Sequence, residues 1–264
     1  MTFPESTRVT YGKNPLIEVI CQLRFPTILR IGVEQPADFQ GRIRQEYPLY
    51  TLQEPSIEFP QLPKELSAVI EQLNLPRPPG SATHRFSTAD SKRLISLSQN
   101  FMALTESVYE TWESFRGEME KAERALREIY SPAFYSRIGL RYKNMIRRSN
   151  LGLTEAKWKD LLQPHIIGEL GAAEVSDTIV ATETRSVIRT PEVAGGQVKL
   201  DHRLVKLSET GEECYIIDAD FWIERKEDLG GTFEVLDEFN KLTGRLFRWA
   251  ITDTLHNAME PTRI

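Results

Sequence analysis

The hydrophobic periods of this chain run through one order and then through the same order again, which limits its folds more than any single motif does. A period-two stretch at 15–25, PLIEVICQLRF, gives way to a short helical pattern at 37–47 that ends before Pro48. Strand patterns follow at 84–89 and 93–104, joined across the polar turn Asp90-Ser91-Lys92. Then come Trp112, Phe115, Met119, Ala122, Leu126 and Ile129 at three- and four-residue intervals, the stripe of an amphipathic helix. The second half repeats the series: FYSRIGLRYKNMI as a strand, a short helix with Trp158, Leu161 and Leu162 ending before Pro164, strands near 178–189, 197–207 and 213–224, and a long helix from 232 to about 259. Ser107 with Glu110 offers a capping box to the first long helix, and Thr154 offers a cap to the short one of the second half.

Matching the halves by element order also aligns similar residues. Leu23-Arg24-Phe25 meets Leu140-Arg141-Tyr142, His84-Arg85-Phe86 meets His202-Arg203-Leu204, and Phe115 meets Phe239. Each match is short, and their collinearity carries the inference. Tight turns between successive strands imply antiparallel pairing, and two amphipathic helices of this length need a broad apolar surface to cover. The expected class is therefore α+β: two tandem β-α-β-β-β-α modules, 1–131 and 132–264, sharing one curved antiparallel sheet backed by two long helices and packing as one unit. That shape is similar to helix-grip and TATA-binding-protein-like folds, a likeness that transfers no function. The proline-rich insertion 49–82 must then hold the second strand of the first module, with one helical stretch at 64–73.

A net charge of −5 and a pI near 5.6 give no general attraction for a phosphate backbone or an anionic membrane, so nucleic acid is a disfavoured partner. Cys21 and Cys214 stand far apart, without a CxxC or a histidine at ligand spacing, so neither a disulfide framework nor a zinc site is expected. The first residues lack a basic and then apolar leader, and no run reaches the roughly 18 apolar residues of a membrane span, so a cytoplasmic protein is expected.

Period two along 215–223 sends Tyr215, Ile217, Ala219, Phe221 and Ile223 to one face and Asp218 and Asp220 to the other. Two carboxylates so placed can hold Mg²⁺ or act as an acid and base pair, and a solvated outer face produces the same pattern. The corresponding positions of the first half are Ser98 and Asn100. Arg24 and Arg141, at matching positions, face away from the long helices together with Glu18 and Lys143. Their planar donors suit a phosphate or carboxylate, and an ion-pair network with Glu18, Asp218 or Asp220 is the plainer outcome. His84 and His202 repeat, which favours a shared structural role over catalysis. No HExxH, GxSxG, Walker loop or dinucleotide fingerprint occurs, so the sequence names no catalytic residue, no metal ligand set and no cofactor.

NPLIEVICQLRF, RIGLRYKNMI, and IIDADF followed by a helix ending in FRWAITDTL together resemble a bacterial family of about this length that is sporadically distributed among genomes. The resemblance spans nearly the whole chain, least in the proline-rich region. It implies one full-length unit and brings no residue roles. The patchy distribution implies an accessory role, such as a partner in a defence or toxin-neutralising locus. The expected function is a non-enzymatic binding or protein-interaction protein, with a protein partner or small-molecule ligand on the polar sheet face or a sheet edge. The alternative is a metal-dependent hydrolase or transferase acting on a phosphorylated small molecule, with Asp218 and Asp220 on Mg²⁺ and Arg24 and Arg141 on the anion.

Overall fold

Strands that alternate apolar and polar residues bury one side only, and here that rule builds a large sheet with one covered face. The computed structural model describes residues 1–53 and 82–264. Its strands in chain order are β1 (Val9–Tyr11), β2 (Leu16–Arg24), β3 (Leu49–Gln53), β4 (Thr83–Ser87), β5 (Arg93–Ser98), β6 (Phe101–Glu106), β7 (Arg137–Arg147), β8 (Glu183–Thr190), β9 (Gly196–Lys206), β10 (Glu213–Ile223) and β11 (Pro261–Arg263). The α-helices are α1 (Leu29–Val33), α2 (Ala37–Ile43), α3 (Trp112–Tyr130), α4 (Trp158–Leu161), α5 (Pro164–Ile167), α6 (Thr232–Ala250) and α7 (Asp253–Ala258). Nine strands form one sheet in the order β3-β4-β5-β6-β2-β7-β10-β9-β8, every neighbouring pair antiparallel, and β1 pairs with β11 in a separate ribbon. The class is α+β with a large antiparallel sheet. The helical stretch expected at 64–73 lies outside the described residues.

Several boundaries differ from the expected ones for local reasons. The run at 93–104 is two strands, because Gln99 and Asn100 form a turn whose carbonyls accept Ile28 N (2.8 Å) and Phe25 N (3.0 Å). Among the described residues the first half therefore has four strands after its short helices where three were expected, and Asn100 is a turn residue, not a counterpart of Asp220 on a strand. The first long helix is capped by Thr111, whose side chain accepts from Ser114 N at 3.3 Å, in place of the expected Ser107. Thr154 caps nothing, and the helix it precedes begins at Trp158 with Lys157 at its cap. The closing helix breaks after Ala250. Ile251 pairs as an extended bridge with Leu162, and Thr252 starts α7 as a new cap, accepting from Leu255 N. A threonine inside a continuous apolar stripe thus restarts a helix that periodicity alone would prolong.

The covered face carries the core. Val19, Cys21 and Leu23 of β2, Leu140 and Tyr142 of β7, and Ile217, Phe221 and Ile223 of β10 are buried under α3 and α6, whose Phe115, Met119, Leu126, Leu236, Phe239 and Leu242 are buried in turn. Ile129 and Trp249, at the edges of their stripes, are half-buried. Three such side chains on each helix, at roughly 1.5–3 kcal/mol each, outweigh its propensity terms, so packing holds these helices in place. Gly196 closes the β8–β9 hairpin because a Cβ there would lie 2.5 Å from Thr190 Oγ1 and 2.8 Å from Val193 O.

Candidate functional site

Residues paired across antiparallel strands share a face, so the register of β2, β7, β10, β9 and β8 fixes what the uncovered side presents. β2 contributes Glu18 and Arg24, β7 contributes Arg137, Arg141 and Lys143, and β10 contributes Asp218, Asp220 and Trp222. β9 adds Lys199, Asp201 and Arg203, and the edge strand β8 adds Glu183, Arg185 and Arg189. Cations outnumber carboxylates on this surface although the whole chain carries −5. The side is not equally open throughout: Ser98 and Ala103, on β5 and β6, are buried.

Asp218 is only 2 % exposed, so it is not the solvated carboxylate that alternation alone suggests. Arg141 grips it with both arms, Nε at 2.7 Å and Nη2 at 2.5 Å. That hydrogen bond first, with the opposing charge, raises the Arg141 pKa despite its partial burial. Asp220 lies level with Arg141 in the ladder but bonds to Arg137, whose Nη2 stands 3.3 and 3.2 Å from its two oxygens. Asp201 receives Arg185 at 2.7 Å and Arg203 at 2.8 Å. Burial pushes this carboxyl up, and the hydrogen bonds from Arg185 and Arg203 hold it below its ordinary value nonetheless. The three aspartates of the face therefore have guanidinium countercharges, the role a metal ion would otherwise fill.

The expected site residues are brought to one face and not into one pocket. Arg24 is level with Arg137 and bonds to Gln22 at 3.0 Å, so it stands four ladder positions, about 13 Å, from the level of Arg141. Glu18 and Lys143 are opposite each other on β2 and β7 without an ion pair between them. Among the described residues Arg24, Lys143, Lys199 and Arg189 make no ion pair at all. Further along the same segment, Arg147 and Arg148 are tied to Glu212 and Glu213, and Arg148 lies 4.7 Å over the Trp158 ring.

Sequence reasoning missed Arg137, the most connected cation of the centre. Its guanidinium touches Gln22 at 3.2 Å, holds Asp220, and lies 5.8 Å from the centroid of Trp222. Gly139 makes this possible: a Cβ there would come within 2.4 Å of Arg137 Nη1, so only glycine leaves the surface beside it free for the folded-over arginine. The signal was present in RIGLRYK, where Arg137, Gly139, Arg141 and Lys143 follow period two. The same alternation puts Trp222 on this face, opposite Gly139.

The repeated histidines are structural in their contacts. His84 Nδ1 meets Tyr50 Oη at 3.0 Å and its Nε2 meets Ile31 O at 3.1 Å. His202 Nδ1 meets Tyr215 Oη at 2.8 Å, and that hydroxyl donates to Ile166 O at 3.2 Å. Each imidazole ties the sheet to the short helix before it, directly to α1 in one half and through a tyrosine to α5 in the other. Both cysteines are buried, and burial raises both thiol pKa values, which removes their reactivity as thiolates. Among the described residues no helix is long and apolar enough to cross a membrane, and no cluster of three or more His, Cys, Asp or Glu has the geometry of a metal site. No family model and no curated protein matches this chain.

Proposed function

We propose that this is a non-enzymatic binding protein whose uncovered sheet face, from β2 to β8, docks a protein partner presenting clustered carboxylates. The observation that carries the reading is the surplus of cations. Once Arg141, Arg137, Arg185 and Arg203 have satisfied the local aspartates, Arg24, Lys143, Lys199 and Arg189 remain without ion pairs among the described residues on the same side. Paired arginines of this kind hold the surface in a defined shape, and unpaired cations beside them supply steering and partner choice. Half-buried Trp222 and Phe101 add apolar anchors between the charges. The same reading takes the two halves as diverged copies of one module: β2 and β7 meet at the middle of the sheet, and each half carries a 19-residue helix on the covered side. An accessory role beside a defence or toxin-neutralising system fits such a surface.

The test is retention of a partner from the native host on immobilised wild type, compared with the Lys143→Glu/Lys199→Glu variant. A partner with an acidic patch, released by salt from wild type and absent from the variant, is the expected result. Equal recovery on both would sink the reading. A saturable calorimetric response to millimolar Mg²⁺ that disappears in Asp218→Asn/Asp220→Asn would replace it with metal-dependent chemistry.

A further inference from the structure

On the covered side of the sheet, away from the charged face, β7 buries an asparagine where its pattern calls for an apolar residue. Ile138, Leu140, Tyr142 and Ile146 are the other buried members of that column, and Asn144 among them is 5 % exposed. Among the described residues its side chain makes one long hydrogen bond, Nδ2 to Ile217 O at 3.4 Å, and no donor reaches its carbonyl oxygen. An amide at an apolar position costs stability unless its groups are satisfied, and the Asn144 oxygen is not sealed in the core, so the space beside it is where a partner can reach it. Asn144 lines a cavity of about 250 Å³ enclosed by the segment around β1, the start of β2, the first turn of α3 and the last turns of α6. That volume lies just below the roughly 300–1,000 Å³ of drug-sized pockets.

We infer that this cavity binds a small planar aromatic compound carrying one acidic group. The walls are Tyr109, Trp112, Tyr142 and Phe247, rings suited to a flat partner. The polar groups converge beside them. Tyr142 Oη donates to Asn240 Oδ1 at 3.0 Å, among the described residues no acceptor meets Asn240 Nδ2, and Asn144 of β7 adds its Oδ1 to the same lining. Four of the lining side chains are cationic, Arg8, Lys241, Arg245 and Arg248, against the single carboxylate side chain of Glu110. Arg245 has the weakest hold on a carboxylate, 3.9 Å from Glu5, and is the cation most available to an incoming anion. Burial raises the Tyr109 and Tyr11 hydroxyls to about 12, so the tyrosines stay neutral donors. The opening of β2 is shaped to the cavity: Asn14 Oδ1 accepts Leu16 N at 3.0 Å, its Nδ2 donates to Tyr109 O at 3.1 Å, and the ladder to β7 shifts register just after Leu16.

Two sources offer this chemistry, a nucleoside monophosphate and an aromatic carboxylic acid, and calorimetric titration with adenosine monophosphate and with 4-hydroxybenzoate separates them. Adenosine and phenol serve as counterparts without the acidic group. The expected result is saturable one-site heat with at least one acidic probe, weaker by about tenfold or more for its uncharged counterpart and in Arg245→Gln and Asn240→Leu. Asn144→Leu should abolish binding while keeping or raising the melting temperature, an outcome a purely structural asparagine would not give. Absence of saturable heat with both acidic probes, or binding unchanged in Asn144→Leu and Arg245→Gln, overturns the inference. Neither result depends on the sheet face, whose Lys143→Glu/Lys199→Glu variant should bind the probe as wild type does.

Discussion

The two sides of the central sheet use the same strands for opposite purposes. Toward α3 and α6 the strands offer a mainly apolar surface that packs against helices, and its buried polar exceptions are single side chains, among them His84, His202, Asn144, Thr190 and Glu106, the last held by Arg93. Toward the other side they offer arginine–aspartate pairs in which Asp218 and Asp201 are nearly as inaccessible as the core, although among the described residues no apolar layer covers them. Long guanidinium side chains lying flat over short aspartates do the burying. The difference teaches that burial alone does not identify a core: on one side it marks stability, on the other a surface whose charges have been set in place.

Mutations separate the two sides by size of effect. Phe239→Ala empties a fully buried site against Phe221, 5.7 Å away between ring centroids, and should cost roughly 3–5 kcal/mol in denaturant unfolding. Wild-type unfolding in that variant would deny the covered side its role. Arg141→Ala strands the Asp218 carboxylate and should cost about 1–3 kcal/mol, whereas Arg141→Met with Asp218→Leu should come closer to wild type, since the penalty lies in the unpaired charge. Equal losses in the single and double variants would mean that the pair itself stabilises the sheet.

Acid should act first on the covered side. Burial holds the pKa of His202 below the ordinary 6.5, so below that pH the unfolded chain binds a proton that the folded chain resists. The contribution of His202 is complete above pH 6.5 and declines as pH falls toward its folded value. A His202→Gln variant should show a flatter loss of stability between pH 6.5 and 5 than wild type, measured by thermal melts. The smallest effect belongs to the open side, where Lys143→Glu/Lys199→Glu should change stability by no more than about 0.5 kcal/mol while removing the partner. A large drop in stability would show that these lysines serve the fold.

The period-two alternation of PLIEVICQLRF, RIGLRYKNMI and CYIIDADFWI told by itself which residues of β2, β7 and β10 turn toward the helices, and the stripes of α3 and α6 told which helical faces they meet. Alternation and helical period are local consequences of backbone geometry, so the chain carries them without needing to know its neighbours. Which strands become neighbours is another matter. Sequence spacing put Arg24 and Arg141 at matching positions, but the ladder set Arg24 beside Arg137 and gave Asp218 to Arg141. The turn at Gln99 and Asn100, the break at Ile251 and the cavity around Asn144 likewise depend on contacts with distant segments: Phe25 and Ile28, Leu162, and the chain around β1. Register and enclosure are set by pairing and packing between segments far apart in the chain, and only the tertiary structure decided them, because no local periodicity encodes the partner on the other side of the bond.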